Sequence, residues 1–357
     1  MTLSRRKFTK VSLGAGAAAL AFPNIIFGAK NDELILGQGK FKYKQVKNWA
    51  IDNLANYPVN DCHEMVQDSK KRLIFCTNET KNNIIILDKS GKYIDSWGHD
   101  YPGAHGLTLL NENGEEFLFL TDTNKAEVYK LTLDGKTIIT LGYPFESGVY
   151  KGQEQQKFYP TETAIAPNGD IYVADGYGSS YILVYDSKGK FKNIFGGNTG
   201  KADGLVQAHG VCIDTRDKKN PKVICTSRSD NKYKIYTLDG KHLATYDFPG
   251  SYVCRPVIKG EVLYVPVIIT RPDPTVADDW NSKSGFFMVL DKNYKIMSAP
   301  GSNGFEYEGN TPKRMTQSAD VKGIIKHVHD VCVDDEDSIY IPQWNSDKGY
   351  PLKFARV

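Results

Sequence analysis

Four of the chain's seven histidines open short apolar runs of one kind: HEMVQD at His63, HGLTLL at His105, HGVCID at His209 and HDVCVD at His329. Glu162 opens a fifth such run, ETAIAP, and Arg255 a sixth, RPVIKG. Imidazoles brought to one point have the type and reach to hold a borderline divalent metal such as zinc. Carboxylates beside them, Glu162 and Asp330 here, would serve as outer partners or as a fourth ligand. A lone histidine in such a run is more simply a buried side chain bonded to backbone. Four at equivalent positions ask for a fold that makes the six starts converge.

The runs themselves indicate that fold. Residues 162–197 read as four strands. ETAIAP is followed by the tight turn Pro167-Asn168-Gly169-Asp170, then IYVAD, YILVYD, the turn Ser187-Lys188-Gly189, and KFKNIFG. Runs of β-branched and aromatic residues between strong turn formers signal hairpins, and helical periodicity is absent. The outer turn recurs as DKSGKYIDSWG, TLDGKTIITLG and TLDGKHLATYD, with a degraded copy in DKNYKIMSAPG. The six inner starts stand at 63, 105, 162, 209, 255 and 329, in steps of 42, 57, 47, 46 and 74 residues. A period of roughly 40–50 residues with four strands per repeat predicts a β-propeller, all-β and six-bladed. The first strand of each blade lines the central channel, so the six starts meet on one axis. The long last step accommodates an inserted Pro- and Asp-rich loop at 271–284, expected to overhang one face. Trp344, at a strand end, is read as packing.

The ring must close or leave an edge. After His329 the chain offers three strands and no fourth, so the segment 34–50 is expected to supply the outer strand of the last blade. The chain of 357 residues is long enough for one such domain, taken as 30–357. No basic stripe interleaved with aromatics appears, which argues against nucleic acid as a partner. The six cysteines form no C-x-x-C pair. Disulfides joining Cys62 to Cys76 and Cys212 to Cys225 are open to an exported protein, but the plainer reading is small core residues.

Residues 4–10, SRRKFTK, precede a weakly apolar run to Ala29 and resemble a twin-arginine export signal. Gly14, Gly16 and Pro23 make that run a poor membrane span. Removing residues 1–29 takes Arg5, Arg6, Lys7 and Lys10 away and moves the formal net charge from +3 to −1. The expectation is a periplasmic or extracellular protein, exported folded by the twin-arginine machinery.

With these motifs in hand, the chain resembles the NHL-repeat six-bladed propellers. Within them it is similar to the peptidyl-α-hydroxyglycine α-amidating lyase family, over roughly residues 63–357. That family's three zinc histidines lie in contexts matched by Ala104-His105-Gly106-Leu107, Ala208-His209-Gly210-Val211 and Val328-His329-Asp330-Val331. Its catalytic tyrosine lies in a V-S-D-G-Y context, matched by Val173-Ala174-Asp175-Gly176-Tyr177. Its functional arginine matches Arg228 in Thr226-Ser227-Arg228-Ser229-Asp230. The resemblance also implies a structural calcium near Met65, Leu107 and Asp330. The chain departs from the pattern in several places. Asn78 stands where the family has a second active-site arginine, and His327 replaces a methionine. Phe158 and Gly178 stand where a disulfide flanks the tyrosine, and His63 is additional.

The expected chemistry follows from these residues. A metal would polarise a substrate oxygen, and Tyr177, with a lowered pKa, would act as general base. Arg228 would meet developing negative charge. Asn78, Glu162, Arg255 and His327 are further candidates for substrate contact. The bland alternatives are a turn tyrosine and a solvated turn arginine. The ligand at the axis would be a small polar or carbinolamide-like molecule, a peptide or a glycan. The competing class is a non-enzymatic NHL-repeat module that binds glycan or protein, with a metal only joining blades. A lactonase-like hydrolase with calcium uses carboxylate and amide ligands, which the histidines fit poorly.

Overall fold

The computed structural model describes residues 33–152, 157–271 and 273–357. The export signal read at residues 4–10 lies outside these residues. Residues 162–197 form the expected blade. Its strands Glu162–Ile165, Ile171–Ala174, Tyr181–Tyr185 and Phe191–Gly196 pair antiparallel in sequence order. The outer turn has a clear physical cause. Asp186 Oδ1 accepts the N–H groups of Lys188 and Lys190 at 2.9 Å each, and Gly189 turns the chain at φ 83°. The pairing slips between Val184 and Tyr185 as a result, a bulge that curls the outer strand. The degraded copy makes the same turn without glycine. Asp291 accepts from the N–H groups of Asn293 and Lys295, and Tyr294 takes the left-handed φ of 63°.

Six blades surround the axis. Blade 1 is Cys62–Gln67, Leu73–Thr77, Ile84–Leu87 and Tyr93–Trp97. Blade 2 is Ala104–Glu112, Glu115–Asp122, Glu127–Thr132 and Thr137–Leu141. Blade 3 is the unit above. Blade 4 is Val211–Asp214, Lys222–Ser227, Lys232–Thr237 and His242–Asp247. Blade 5 is less regular. Its inner strand is split into Ser251–Val253 and Val257–Lys259, both paired to Val262–Thr270, with Phe286–Leu290 and Ile296–Ser298 outside. Pro256 sits in the split and has no N–H to give the ladder.

Blade 6 closes the ring as the strand count required. Cys332–Val333, Ile339–Ile341 and Leu352–Arg356 come from the C-terminal end. Phe41–Val46 pairs with Leu352–Arg356, with Tyr43 opposite Arg356 and Gln45 opposite Phe354. Ile35–Gln38 then adds a fifth strand outside.

The core lies between blades. Middle strands such as Leu73–Thr77, Ile84–Leu87 and Phe286–Leu290 are buried at every position, because both faces of a blade pack on neighbours. The outer strand His242–Asp247 alternates between half-buried and exposed. Ile74, Ile84 and Ile86 of blade 1 pack on Leu107, Leu118 and Leu120 of blade 2. At the closure, Tyr43, Ile339 and Phe354 pack on Phe287 and Val289 of blade 5. Each such side chain contributes about 1.5–3 kcal/mol on burial. All six cysteines are free, and Cys76 Sγ lies 3.2 Å from the carbonyl oxygen of His105. Among the described residues no helix is long and apolar enough to cross a membrane.

Candidate active site

The inner strands aim the histidines by breaking their own ladders. In blade 1 the register shifts between Cys62 and Met65, and in blade 2 between Ala104 and Leu107. A bulge re-aims the side chains within it, and His63, Glu64 and His105 are buried there. The N–H after His105 and the N–H after His209 each find a threonine on the second strand. Gly106 N donates to Thr121 Oγ1 at 2.7 Å, and Gly210 N to Thr226 Oγ1 at 2.8 Å. Glycine is required at Gly106 by close approach: a Cβ there would stand 2.6 Å from the carbonyl oxygen of Thr161 in blade 3.

Four imidazoles converge. The ring centres of His105 lie 4.4 Å from His63, 4.7 Å from His209 and 4.6 Å from His329. His63, His105 and His329 each offer a ring nitrogen within 4.8 Å of the others, a group that could hold a metal ion. Backbone fixes two tautomers. His105 Nδ1 lies 2.8 Å from Thr161 O, and His329 Nδ1 lies 3.0 Å from His63 O. A carbonyl only accepts, so both Nδ1 atoms carry the proton and both Nε2 atoms present a lone pair. His329 Nε2 and His63 Nδ1 are buried with no partner. Burial holds His63 down at about 4 and keeps His105, His209 and His329 well below the usual imidazole value, so the rings are neutral.

Tyr177 completes the group. Its hydroxyl lies 2.9 Å from His209 Nε2 and 3.2 Å from His105 Nε2, and the two nitrogens are 3.2 Å apart. Ligand atoms of a tetrahedral zinc stand about 3.3 Å from one another, so this spacing suits a small divalent ion. Thr161 joins the three residues. Its carbonyl holds His105, its Oγ1 donates to His209 O at 2.8 Å, and the same Oγ1 accepts from Gly176 N at 3.2 Å, beside Tyr177. The lowered pKa expected of Tyr177 is corrected by its surroundings. The residue is 43% exposed at the cavity, but the packing around its hydroxyl pushes the phenol above its ordinary value, and the neighbouring Arg228 only partly offsets this. Arg228 is 1% exposed, donates to Cys254 Sγ at 3.1 Å, and leaves Nε without a partner. Among the described residues no carboxylate forms an ion pair with it.

A second, ionic layer surrounds Arg255. Its guanidinium lies 3.2 Å from Glu64, 3.2 Å from Glu162 and 3.1 Å from Asp330. Burial works against its charge, but the three carboxylates together hold it firmly protonated. Burial raises Glu64 well above the carboxylate range and Asp330 to about 6, although Arg255 pulls both down. Met65 and Leu107 turn N–H groups towards Asp330 (3.2 Å) and Glu64 (2.7 Å). The positive charge among these residues is Arg255, and Asp330 Oδ1 is buried with no partner. Asp330 and Glu162 are engaged in this layer, outside the histidine group.

The site opens into a cavity of about 390 Å³ lined by His63, His105, Tyr177 and Arg228. Its rim has a simple rule. The connection between the second and third strands of every blade gives a lining residue: Asn78, Asn124, Tyr177, Arg228, Trp280 and Trp344 in blades 1 to 6. The loop that carries Trp280 does overhang this face, and Trp344 lines the cavity as well as packing. Trp280 was not singled out by sequence reasoning, because the long connection that carries it breaks the spacing of the repeat. Asn78 lines the cavity, but its amide is engaged with Asn60 and Asp61. Glu162 and Arg255 do not line it. His327 is buried against Trp344, ring centres 4.9 Å apart, with neither nitrogen partnered.

In sequence the chain is similar to amidating lyases. It is 36% identical over 124 residues to the peptidyl-alpha-hydroxyglycine alpha-amidating lyase 1 of Drosophila melanogaster, covering 33% of this chain and 22% of that protein. It is 33% identical over 160 residues to a probable peptidyl-alpha-hydroxyglycine alpha-amidating lyase of Caenorhabditis elegans, covering 40% and 43%. The chain thus spans less than half the length of these relatives. No family model matches it. Among solved structures, a gluconolactonase from Xanthomonas campestris superposes with a TM-score of 0.55 at 9% identity, covering 89% of this chain and 90% of that one. A streptogramin B lyase gives 0.51 at 12%, covering 89% and 97%. These two likenesses are to the propeller fold.

Proposed function

We propose that the chain is a metal-dependent propeller enzyme that cleaves the C–N bond of a carbinolamide. The observation that carries the reading is the cluster of His105 Nε2, His209 Nε2 and the Tyr177 hydroxyl, all within 3.2 Å of one another. The similarity to curated amidating lyases supports it. His105, His209 and His329 would hold the ion, zinc by preference for imidazole, with His63 beside them. When bound, such an ion supplies a Lewis acid for the substrate oxygen.

The chain's own residues perform the rest. Tyr177, as the phenolate that Arg228 and a bound ion would favour against the surroundings that raise it, takes the proton of the carbinolamide hydroxyl. The oxygen lone pair forms C=O, the C–N bond breaks, and its electron pair stays on nitrogen. That nitrogen receives the proton from Tyr177, giving a primary amide and an aldehyde with no net proton change. Arg228, buried without a carboxylate, faces the negative charge on oxygen.

Tyr177→Phe tests the role directly. It is expected to lower kcat by about 10²–10⁴-fold, the range for a general base, while metal content is unchanged. Turnover within about twofold of wild type would overturn the reading and favour a non-enzymatic module. We further propose export by the twin-arginine route, on the strength of residues 4–10. A reporter fused to residues 1–32 should leave the cytoplasm, and Arg5→Lys with Arg6→Lys should stop it; export of that double variant would contradict the route.

A further inference from the structure

We infer that the cavity selects a carbinolamide whose acyl side is flat and apolar and which bears no charge, and that Trp280 is the residue that sets this preference. The inference rests on the lyase reading above and names its substrate class.

The charge of the cavity is the first observation. Arg228 is the single permanently charged side chain among its lining residues; no lysine, aspartate or glutamate contributes. Asn78, the polar group on the blade 1 side, accepts from Asn60 Nδ2 and Asp61 N at 2.9 Å each and donates to Asp61 Oδ2 at 3.2 Å. It is therefore committed to the protein. Arg228 and a bound ion would both meet the oxygen of the reacting centre, so no further cationic side chain is left for a ligand carboxylate.

The shape of the wall is the second. Ile268, Trp280 and Trp344 line the blade 5 and blade 6 side. Trp280 and Trp344 stand edge to face, 6.2 Å apart at 83°. Each is backed from outside the cavity: Trp280 by Tyr252 at 5.7 Å, and Trp344 by His327 at 4.9 Å. The connection that carries Trp280 spans 271–285, whereas the equivalent connection in blade 4 spans only 228–231. It is braced from within. Arg271 donates to the carbonyls of Val276 and Pro274 at 2.9 and 2.8 Å, and Arg314 donates to Arg271 O at 2.9 Å. A lengthened, braced loop that brings an indole to the rim builds a surface for a planar group. The cavity volume, about 390 Å³, is near the lower end for small-ligand sites and suits a short acyl group.

The test uses the full metal-loaded chain and its Trp280→Ala and Trp280→Phe variants. Substrates are N-(hydroxymethyl)benzamide, N-(hydroxymethyl)acetamide and α-hydroxyhippurate; the unreactive product amides, benzamide and acetamide, are titrated calorimetrically. The wild type should favour the benzamide carbinolamide over the acetamide one by about tenfold in kcat/KM, and should gain nothing from the carboxylate of α-hydroxyhippurate. Trp280→Ala should erase that preference, chiefly through KM, with metal content and Tm unchanged. Trp280→Phe should keep most of it. A preference that survives Trp280→Ala, or a clear preference for the carboxylate, overturns the inference. The amide titrations separate the two claims. If benzamide binds better than acetamide through Trp280 but no carbinolamide is cleaved, the lyase reading fails and the wall stands. If carbinolamides are cleaved without regard to the ring, or benzamide binds no better than acetamide, the wall fails.

Discussion

Arg255 shows how far a residue's type under-determines its role. Read at the start of an inner strand, it looked like a group for a ligand. Its surroundings make it the counter-charge to Glu64, Glu162 and Asp330 from blades 1, 3 and 6, all buried. Removing one partner of a buried ionic cluster leaves the others uncompensated, at a cost of about 3–5 kcal/mol. Arg255→Met is therefore expected to lower unfolding stability by that amount in urea titration, whereas a calcium chelator should leave the wild type unmoved. A chelator that destabilises the wild type would show that a cation shares the work. Tyr177 teaches the same lesson from the other side. The D-G-Y motif located it, but the motif holds no information on what packs around its hydroxyl, and that packing is what raises the phenol.

At the scale of elements, the inner-strand repeat was legible because four histidines share one register and one turn chemistry follows each blade. The turn survives even where glycine is lost, since Asp291 supplies the cap that Asp186 supplies in blade 3. What the period concealed was the rim. The connection that holds Trp280 is long enough to break the spacing, so its equivalence to Asn78, Tyr177 and Arg228 emerges only once the strands are paired. Thr161 was hidden for another reason: two of its links run to other blades, to His105 and His209, and the third to Gly176 across its own blade. Thr161→Val removes the hydroxyl and leaves the carbonyl. It should lower kcat by about tenfold or more, with Thr161→Ser restoring most of it, and with metal content close to wild type. Equal activity in the valine variant would show that Tyr177 is positioned without this link.

For the whole molecule, closure of the ring joins the N-terminal strands to the C-terminal ones. The count of three strands after His329 was enough to foresee it, because a propeller with an open blade exposes an edge. Deleting residues 33–47 would uncover Leu352–Arg356 and part of the cluster around Phe354. The expected outcome is a marked loss of Tm and a tendency to associate in gel filtration; an unchanged monomer with wild-type Tm would contradict the closure. The ring is also what brings the proposed metal site together from four separate blades, since His63, His105, His209 and His329 lie far apart in sequence. The central claim is tested by the metal content of the purified full chain beside His105→Ala and His209→Ala. The account predicts about one zinc per chain in the wild type and its loss in both variants, with fold retained. A well-folded wild type that takes up no transition metal, even when zinc is supplied, would contradict it.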